Sequence, residues 1–126
     1  MKKIAYFIDS LDSGGAEDIV IELCKKVKYY GIRPEIFHFG NQYILKQSQK
    51  YKIQNKIVPG FKYYKSFKSL PLFFILFKNF LIKNRIDLLH SHLFGAVTGA
   101  CIPTFFAKIP HIGTFHDIYT FEQKKN

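Results

Sequence analysis

A chain of 126 residues has room for one α/β core but not for two full nucleotide-fold halves. Hydrophobic residues make up 48% and aromatic residues 17% of it, with 14 Phe and 8 Tyr, which excludes a disordered segment. The formal net charge of +10 turns attention to anionic partners.

The first element is the apolar run Ile4-Ala5-Tyr6-Phe7-Ile8, bounded by charges, as expected of a strand buried on both faces of a parallel sheet. Only these five apolar residues precede Asp9, fewer than the roughly 7–15 of a secretory signal, so the sequence points to the cytoplasm. Ala16, Ile19, Val20, Leu23, Cys24 and Val27 then recur on one helical face. Glu17, Asp18 and Glu22 sit early and Lys25, Lys26 and Lys28 late, complementing the helix dipole, and Gly31 ends the helix. A second strand is expected at Glu35-Ile36-Phe37-His38-Phe39, completing a βαβ unit, and a weaker one at Lys56-Ile57-Val58 before Pro59-Gly60.

Residues 70–82 are almost wholly apolar, broken by Pro71, Lys78 and Asn79; these 13 residues fall short of the ~20 that span a bilayer and predict a buried or amphipathic helix. Ile86-Asp87-Leu88-Leu89-His90 supplies a further strand. Residues 94–107 supply a helix that Pro103 should kink or shorten, and residues 111–115 a last strand. This alternation predicts a Rossmann-like, doubly wound parallel sheet in a single domain. Cys24 and Cys101 both fall on apolar helix sides and read as small buried hydrophobes, without the spacing of a metal site or a disulfide framework.

Parallel sheets bind ligands at the carboxyl ends of their strands, and three segments follow strand ends. In Asp9-Ser10-Leu11-Asp12-Ser13-Gly14-Gly15-Ala16, two glycines admit close backbone approach, and the helix start offers unpaired N–H groups to an anion. The segment lacks the GxGxxG order of dinucleotide folds and the GK[ST] of a P-loop, so nicotinamide and ATP sites are disfavoured; a turn that merely needs positive φ is the plain alternative. His90-Ser91-His92 follows Leu88-Leu89, its histidines sharing one side if the strand stays extended; Thr114-Phe115-His116-Asp117 closes the last strand. The histidine groups can share a cleft, but the spacing demands no zinc site, and structural hydrogen bonding is the alternative for either of the first pair.

Three motifs in order, Ile4-Ala5-Tyr6-Phe7-Ile8-Asp9-Ser10-Leu11 with Gly14-Gly15-Ala16-Glu17, then Ile86-Asp87-Leu88-Leu89-His90-Ser91-His92-Leu93, then Ile109-Pro110-His111-Ile112-Gly113-Thr114-Phe115-His116-Asp117, resemble the N-terminal domain of GT-B glycosyltransferases of the retaining family 4 type. The resemblance covers essentially the whole chain. It implies a two-domain, metal-free hexosyltransferase that moves a sugar from a nucleotide-sugar donor to a glycan or lipid-linked acceptor, in cell-surface polysaccharide or lipopolysaccharide synthesis. It also implies that Gly14 and Gly15 lie near the donor diphosphate and that His116 is the catalytic residue beside the reacting sugar; Ser10, Ala16, His90, His92 and Asp117 complete the candidate substrate and diphosphate contacts. Such enzymes carry most donor contacts and a glutamate pair on a C-terminal domain. Residues 1–126 read as the acceptor-side domain alone, inactive without that second domain or a partner chain supplying it.

No acidic residue occurs between Glu35 and Asp87, whereas that interval holds ten of the 19 Lys and Arg. The run Lys62-Tyr63-Tyr64-Lys65-Ser66-Phe67-Lys68 leads into the apolar segment, a combination suited to an anionic membrane surface, with Lys62, Lys65 and Lys68 as candidate contacts at the inner face of the cell membrane. A solvated lysine-rich face is the plain alternative. Two other readings remain: a non-catalytic binding half of a split transferase, and a basic nucleic-acid-binding module, which no helix-turn-helix, RNP or zinc-finger motif supports.

Overall fold

A computed structural model describes residues 2–115. Five strands, β1 (Lys3–Ile8), β2 (Arg33–His38), β3 (Gln54–Ile57), β4 (Leu88–His92) and β5 (His111–Thr114), form one sheet in the order β3-β2-β1-β4-β5, every adjacent pair parallel. The helices are α1 (Gly15–Tyr29), α2 (Gln42–Tyr51), α3 (Phe61–Tyr64), α4 (Leu70–Asn84) and α5 (Phe94–Ala107), with a 3-10 turn at Phe67–Ser69 before α4. This is the doubly wound α/β architecture expected from the sequence. The order reverses between β1 and β4, the switch point at which open parallel sheets leave a crevice beyond the strands' carboxyl ends.

Alternation along β1 builds a core on each face of the sheet. Tyr6 and Ile8 meet Val20, Ile21 and Cys24 of α1 and Ile44 of α2, while Ala5 and Phe7 meet Phe73, Phe77 and Leu81 of α4 and Ala96 and Ala100 of α5. The second core is aromatic: Phe7 lies 4.7 Å from Phe77, and Phe37 4.8 Å from Phe80, ring centre to ring centre. Buried rings at these separations add about 0.5–1.5 kcal/mol per pair beyond the area they hide.

Several expectations are corrected. The strand expected at 86–90 starts two residues later because Asp87 ties the entry down. Its carboxylate accepts from the Lys3 N–H at 2.8 Å and its N–H donates to the Lys3 carbonyl at 2.8 Å, setting the register Ile4↔Leu88 to Ile8↔His92. His90 and His92 are therefore inside β4, not beyond it. The weak strand spans Gln54–Ile57 rather than 56–58, with Val58 buried past its end, and β2 begins at Arg33 and leaves Phe39 outside. Ile19, expected on the apolar face of α1, is 45% exposed, and Glu17 in the first turn is buried. Helix α5 covers 94–107 without shortening at Pro103. Cys24 is buried as expected, its thiol pushed up to about 12 by desolvation, whereas Cys101 is exposed, on the side of α5 turned from the Ala96 and Ala100 core. Helices α2 and α3 were not expected. α2 buries only Ile44 and Ser48, one residue per turn, so its hydrophobic pattern is faint.

Candidate functional site

All five carboxyl strand ends lie on one edge, and the loop at 9–14 crosses it at the β1/β4 switch point. Gly14 caps α1 in an extended conformation, φ 174°, without a side chain to satisfy the first-turn N–H groups, and Gly15 is the first helical residue. Positive φ does not account for either glycine. Neither does crowding: a Cβ on Gly15 would meet nothing within 4 Å, and one on Gly14 only the Glu17 carboxylate at 3.5 Å. Two glycines therefore stand side by side on open surface at an uncapped helix start, with no steric demand from the described residues. Ala16, half-buried, follows in the first turn.

The loop is held from below. The Ser10 hydroxyl donates to Glu17, so it supports the loop, and its carbonyl accepts from Asn41 Nδ2 at 2.9 Å. Asn41 is fully buried and donates also to the Asp12 carbonyl at 3.1 Å, while its Oδ1 caps α2 by accepting from Ile44 N at 3.0 Å. His38, buried at the end of β2, accepts from the N–H groups of Gly40 and Asn41 on Nδ1, both at 3.0 Å, which leaves its proton on Nε2 to donate to Asn55 Oδ1 at 3.0 Å. Neither Asn41 nor His38 stood out from the sequence. The one available signal for Asn41 is an N-cap residue three before Ile44.

Burial lowers the His38 pKa from its ordinary value, as it does for His111. The sign follows: a folded pKa below the unfolded one contributes stability that is present above about pH 6.5 and is lost as pH falls through the folded value. Tm is expected to drop as pH is lowered from 7.5 to 5, and His38→Gln to flatten that slope, read by thermal unfolding at each pH. An unchanged slope would remove His38 from the account.

Beside the loop, Asp9 Oδ2 accepts from the Tyr64 hydroxyl at 2.7 Å. Burial raises the pKa of both groups, and Tyr64's hydrogen bond pulls that of Asp9 back down. The pair fits only because α5 presents glycines: a Cβ on Gly95 would lie 2.3 Å from Asp9 Oδ2, and one on Gly99 2.7 Å from Tyr64 Cε1. Tyr64 cannot retreat, since its ring packs on Phe39 and Phe73 at 4.9 and 4.8 Å. Gly99→Ala is therefore expected to destabilise by about 1–2 kcal/mol, overpacking outweighing a helix-propensity gain of about 1 kcal/mol. In urea denaturation the cost should disappear when Tyr64→Leu is combined with it.

On the α1 side, His90 and His92 lie 4.1 Å apart, ring centre to ring centre, against Tyr6, whose hydroxyl desolvation pushes up to about 12. His90 Nε2 hydrogen-bonds Thr114 Oγ1 at 2.7 Å, and His92 is fully buried. The two share a strand side as expected, but they line the sheet rather than its rim. The turn that follows carries Leu93 at φ 82°, ψ 151°, a conformation costly for a side-chain-bearing residue and located at the crevice. His116 and Asp117 lie outside the described residues, beyond β5. Among the described residues, no three His, Cys, Asp or Glu side chains are grouped to hold a metal ion. Lys62 and Lys65 lie over the rings of Tyr63 and Phe61 at 5.0 and 5.2 Å; Lys68 and the 90%-exposed Phe67 follow in the 3-10 turn.

Residues 13–126 match the model of Glycosyltransferase Family 4. No curated protein sequence matches the chain. Among solved structures, a glycosyltransferase from Rickettsia africae superposes on 99% of this chain with a TM-score of 0.76 at 22% identity. Anabaena Alr3699/HepE in complex with UDP and glucose superposes on 98% with a TM-score of 0.74 at 20% identity, and its complex with UDP-glucose on 98% with a TM-score of 0.72 at 19% identity. This chain spans about a third of the length of each, 33%, 32% and 31% in that order.

Proposed function

Because the chain belongs to Glycosyltransferase Family 4 and has the fold of a GT-B N-terminal half, we propose that it forms the acceptor-side wall of a cleft in which a sugar passes from a nucleotide-sugar donor to a glycan or lipid-linked acceptor. The observation that carries this reading is the Gly14-Gly15 pair: two open glycines that neither packing nor φ requires, at an uncapped helix start on the switch-point edge. A diphosphate brought against those amides gains hydrogen bonds and a favourable helix dipole, and both strengthen as charge builds on the leaving group. The UDP and UDP-glucose held by Alr3699/HepE support the donor class. His116 would stand beside the reacting sugar, metal-free chemistry following from the family likeness. A second α/β domain, in the same polypeptide or a partner, would supply the remaining donor contacts, and the product would enter cell-surface polysaccharide or lipopolysaccharide.

The test is an amide chemical-shift titration with UDP-glucose. Weak, saturable perturbation centred on Gly14, Gly15 and Ala16 is expected. Perturbation elsewhere, or tight binding by this chain alone, would overturn the division of labour.

Membrane association belongs to the same proposal. Helix α4 turns Phe73, Phe77 and Leu81 to the core while Leu72, Ile75, Leu76 and Ile82 remain exposed, and its first turn directly follows the segment that carries Lys62, Lys65, Phe67 and Lys68. No helix among the described residues is long and apolar enough to cross a membrane, so the contact would be with its surface, at the inner face of the cell membrane. Co-sedimentation with anionic vesicles should exceed that with neutral ones; equal, negligible binding to both ends this part.

A further inference from the structure

The basic residues between Glu35 and Asp87 do not form one surface. Lys62, Lys65 and Lys68 lie on α3 and the turn after it, near the carboxyl edge; Lys56, Lys83 and Arg85 converge instead with Lys3 and Arg33 around a pocket of about 380 Å3 at the amino edge. Lys3 and Arg33 open β1 and β2, and Arg85 is the residue that terminates α4. Six residues of β1 at about 3.3 Å each put this pocket roughly 20 Å from the glycine loop.

Its floor is built. Glu35, with a side chain 1% exposed, pairs with Lys3 Nζ at 3.2 Å and Lys56 Nζ at 3.8 Å. Asn84, buried at the end of α4, accepts Lys56 Nζ on its side chain and Lys3 Nζ on its carbonyl at 2.9 Å. Asp87 is turned to the Lys3 N–H at 2.8 Å. The carboxylates are thus engaged within the fold, and among the described residues Arg33, Lys83 and Arg85 have no acidic partner within ion-pair distance. Five cations and one carboxylate, Asp87, line the concavity, with the buried Glu35 paired to Lys3 and Lys56 behind it, an arrangement that focuses positive potential, with two guanidinium forks suited to phosphate oxygens. A larger hollow along α2, about 580 Å3, has only Lys46 among its lining charges, and a neighbouring one of about 420 Å3 shares Arg33 and adds Lys28 and Lys52, so the five-cation convergence exceeds that of either.

We propose that this pocket is a second anion site, taking a phosphate or diphosphate group, independent of the donor cleft. The group belongs either to a small solute or to a phospholipid headgroup. The test titrates the full chain with inorganic pyrophosphate while following amide shifts, and in parallel measures sedimentation with phosphatidylcholine vesicles with and without phosphatidylglycerol. The double variant Arg33→Gln/Arg85→Asn is compared with Lys62→Gln/Lys65→Gln/Lys68→Gln. Asparagine tolerates the left-handed conformation of Arg85, φ 51°, and Arg33 is exposed, so the fold should survive; matched Tm values verify it. Saturable shifts at Arg33, Lys56 and Arg85, with a Kd raised at least tenfold in the double variant, support the site with a soluble ligand. Vesicle binding that requires Arg33 and Arg85, without a pyrophosphate response, supports it with a headgroup. Absence of both, or binding that depends only on the three lysines, overturns it.

Discussion

Replacing Asn41 by alanine is expected to cost about 3 kcal/mol of folding free energy, the largest effect of any polar substitution near the site. The side chain is fully buried and makes three bonds, to the carbonyls of Ser10 and Asp12 and from Ile44 N. Its loss removes the cap of α2 and leaves two loop carbonyls and one N–H without partners, each a desolvation cost of about 1–3 kcal/mol partly recovered by water. Asn41→Asp separates the two roles. It keeps an acceptor for Ile44 but has no donor for the carbonyls, against which it sets a charge. Urea denaturation should therefore rank both variants well below the parent. Amide exchange should show residues 10–14 loosened in both, and the first turn of α2 loosened only in alanine. Equal protection of residues 10–14 in the parent and the alanine variant would mean that Asn41 does not hold the loop.

The frame of the molecule was legible because it rests on long-range patterning: β1, α1 and α4 announce themselves as an apolar run, a 3.6-residue stripe and an apolar block. The strand order is not encoded in any one segment, yet right-handed crossovers between successive parallel strands leave few alternatives. What escaped notice is what depends on single contacts. Helix α2 shares its face of the sheet with α1 and buries only Ile44 and Ser48, so its two buried side chains are drowned by Gln and Lys. Tyr64 sits in a run that reads as basic and interfacial, but its ring is locked between Phe39, Phe73 and Gly99 and its hydroxyl on Asp9, a role set by residues up to 55 positions away. The strand carrying His90 and His92 shifted for the same reason: Asp87 meets Lys3, 84 residues distant. The charge excess, visible as one interval of sequence, divides between the two ends of the sheet once the chain is folded.

The Gly14-Gly15 pair makes the sharpest separation of stability from function. If the glycines served the fold, alanine at both positions would strain or crowd it. Gly14 is extended and has 3.5 Å to its nearest neighbour, and Gly15 is helical with open space around its Cα. Gly14→Ala/Gly15→Ala is therefore expected to leave Tm unchanged or slightly higher. Alanine improves on glycine by up to about 1 kcal/mol in a helix, and it restricts the unfolded chain. UDP-glucose affinity is expected to fall at least tenfold, because each added methyl occupies the space through which a diphosphate reaches the first-turn amides, and about 1.4 kcal/mol of lost contact suffices for that factor. Asn41→Ala should weaken binding together with stability; the double alanine variant should weaken binding alone. A double variant that binds UDP-glucose as the parent does would show that the glycines are open for some reason other than the donor, and the cleft would then have to be sought at Leu93 and the end of β4.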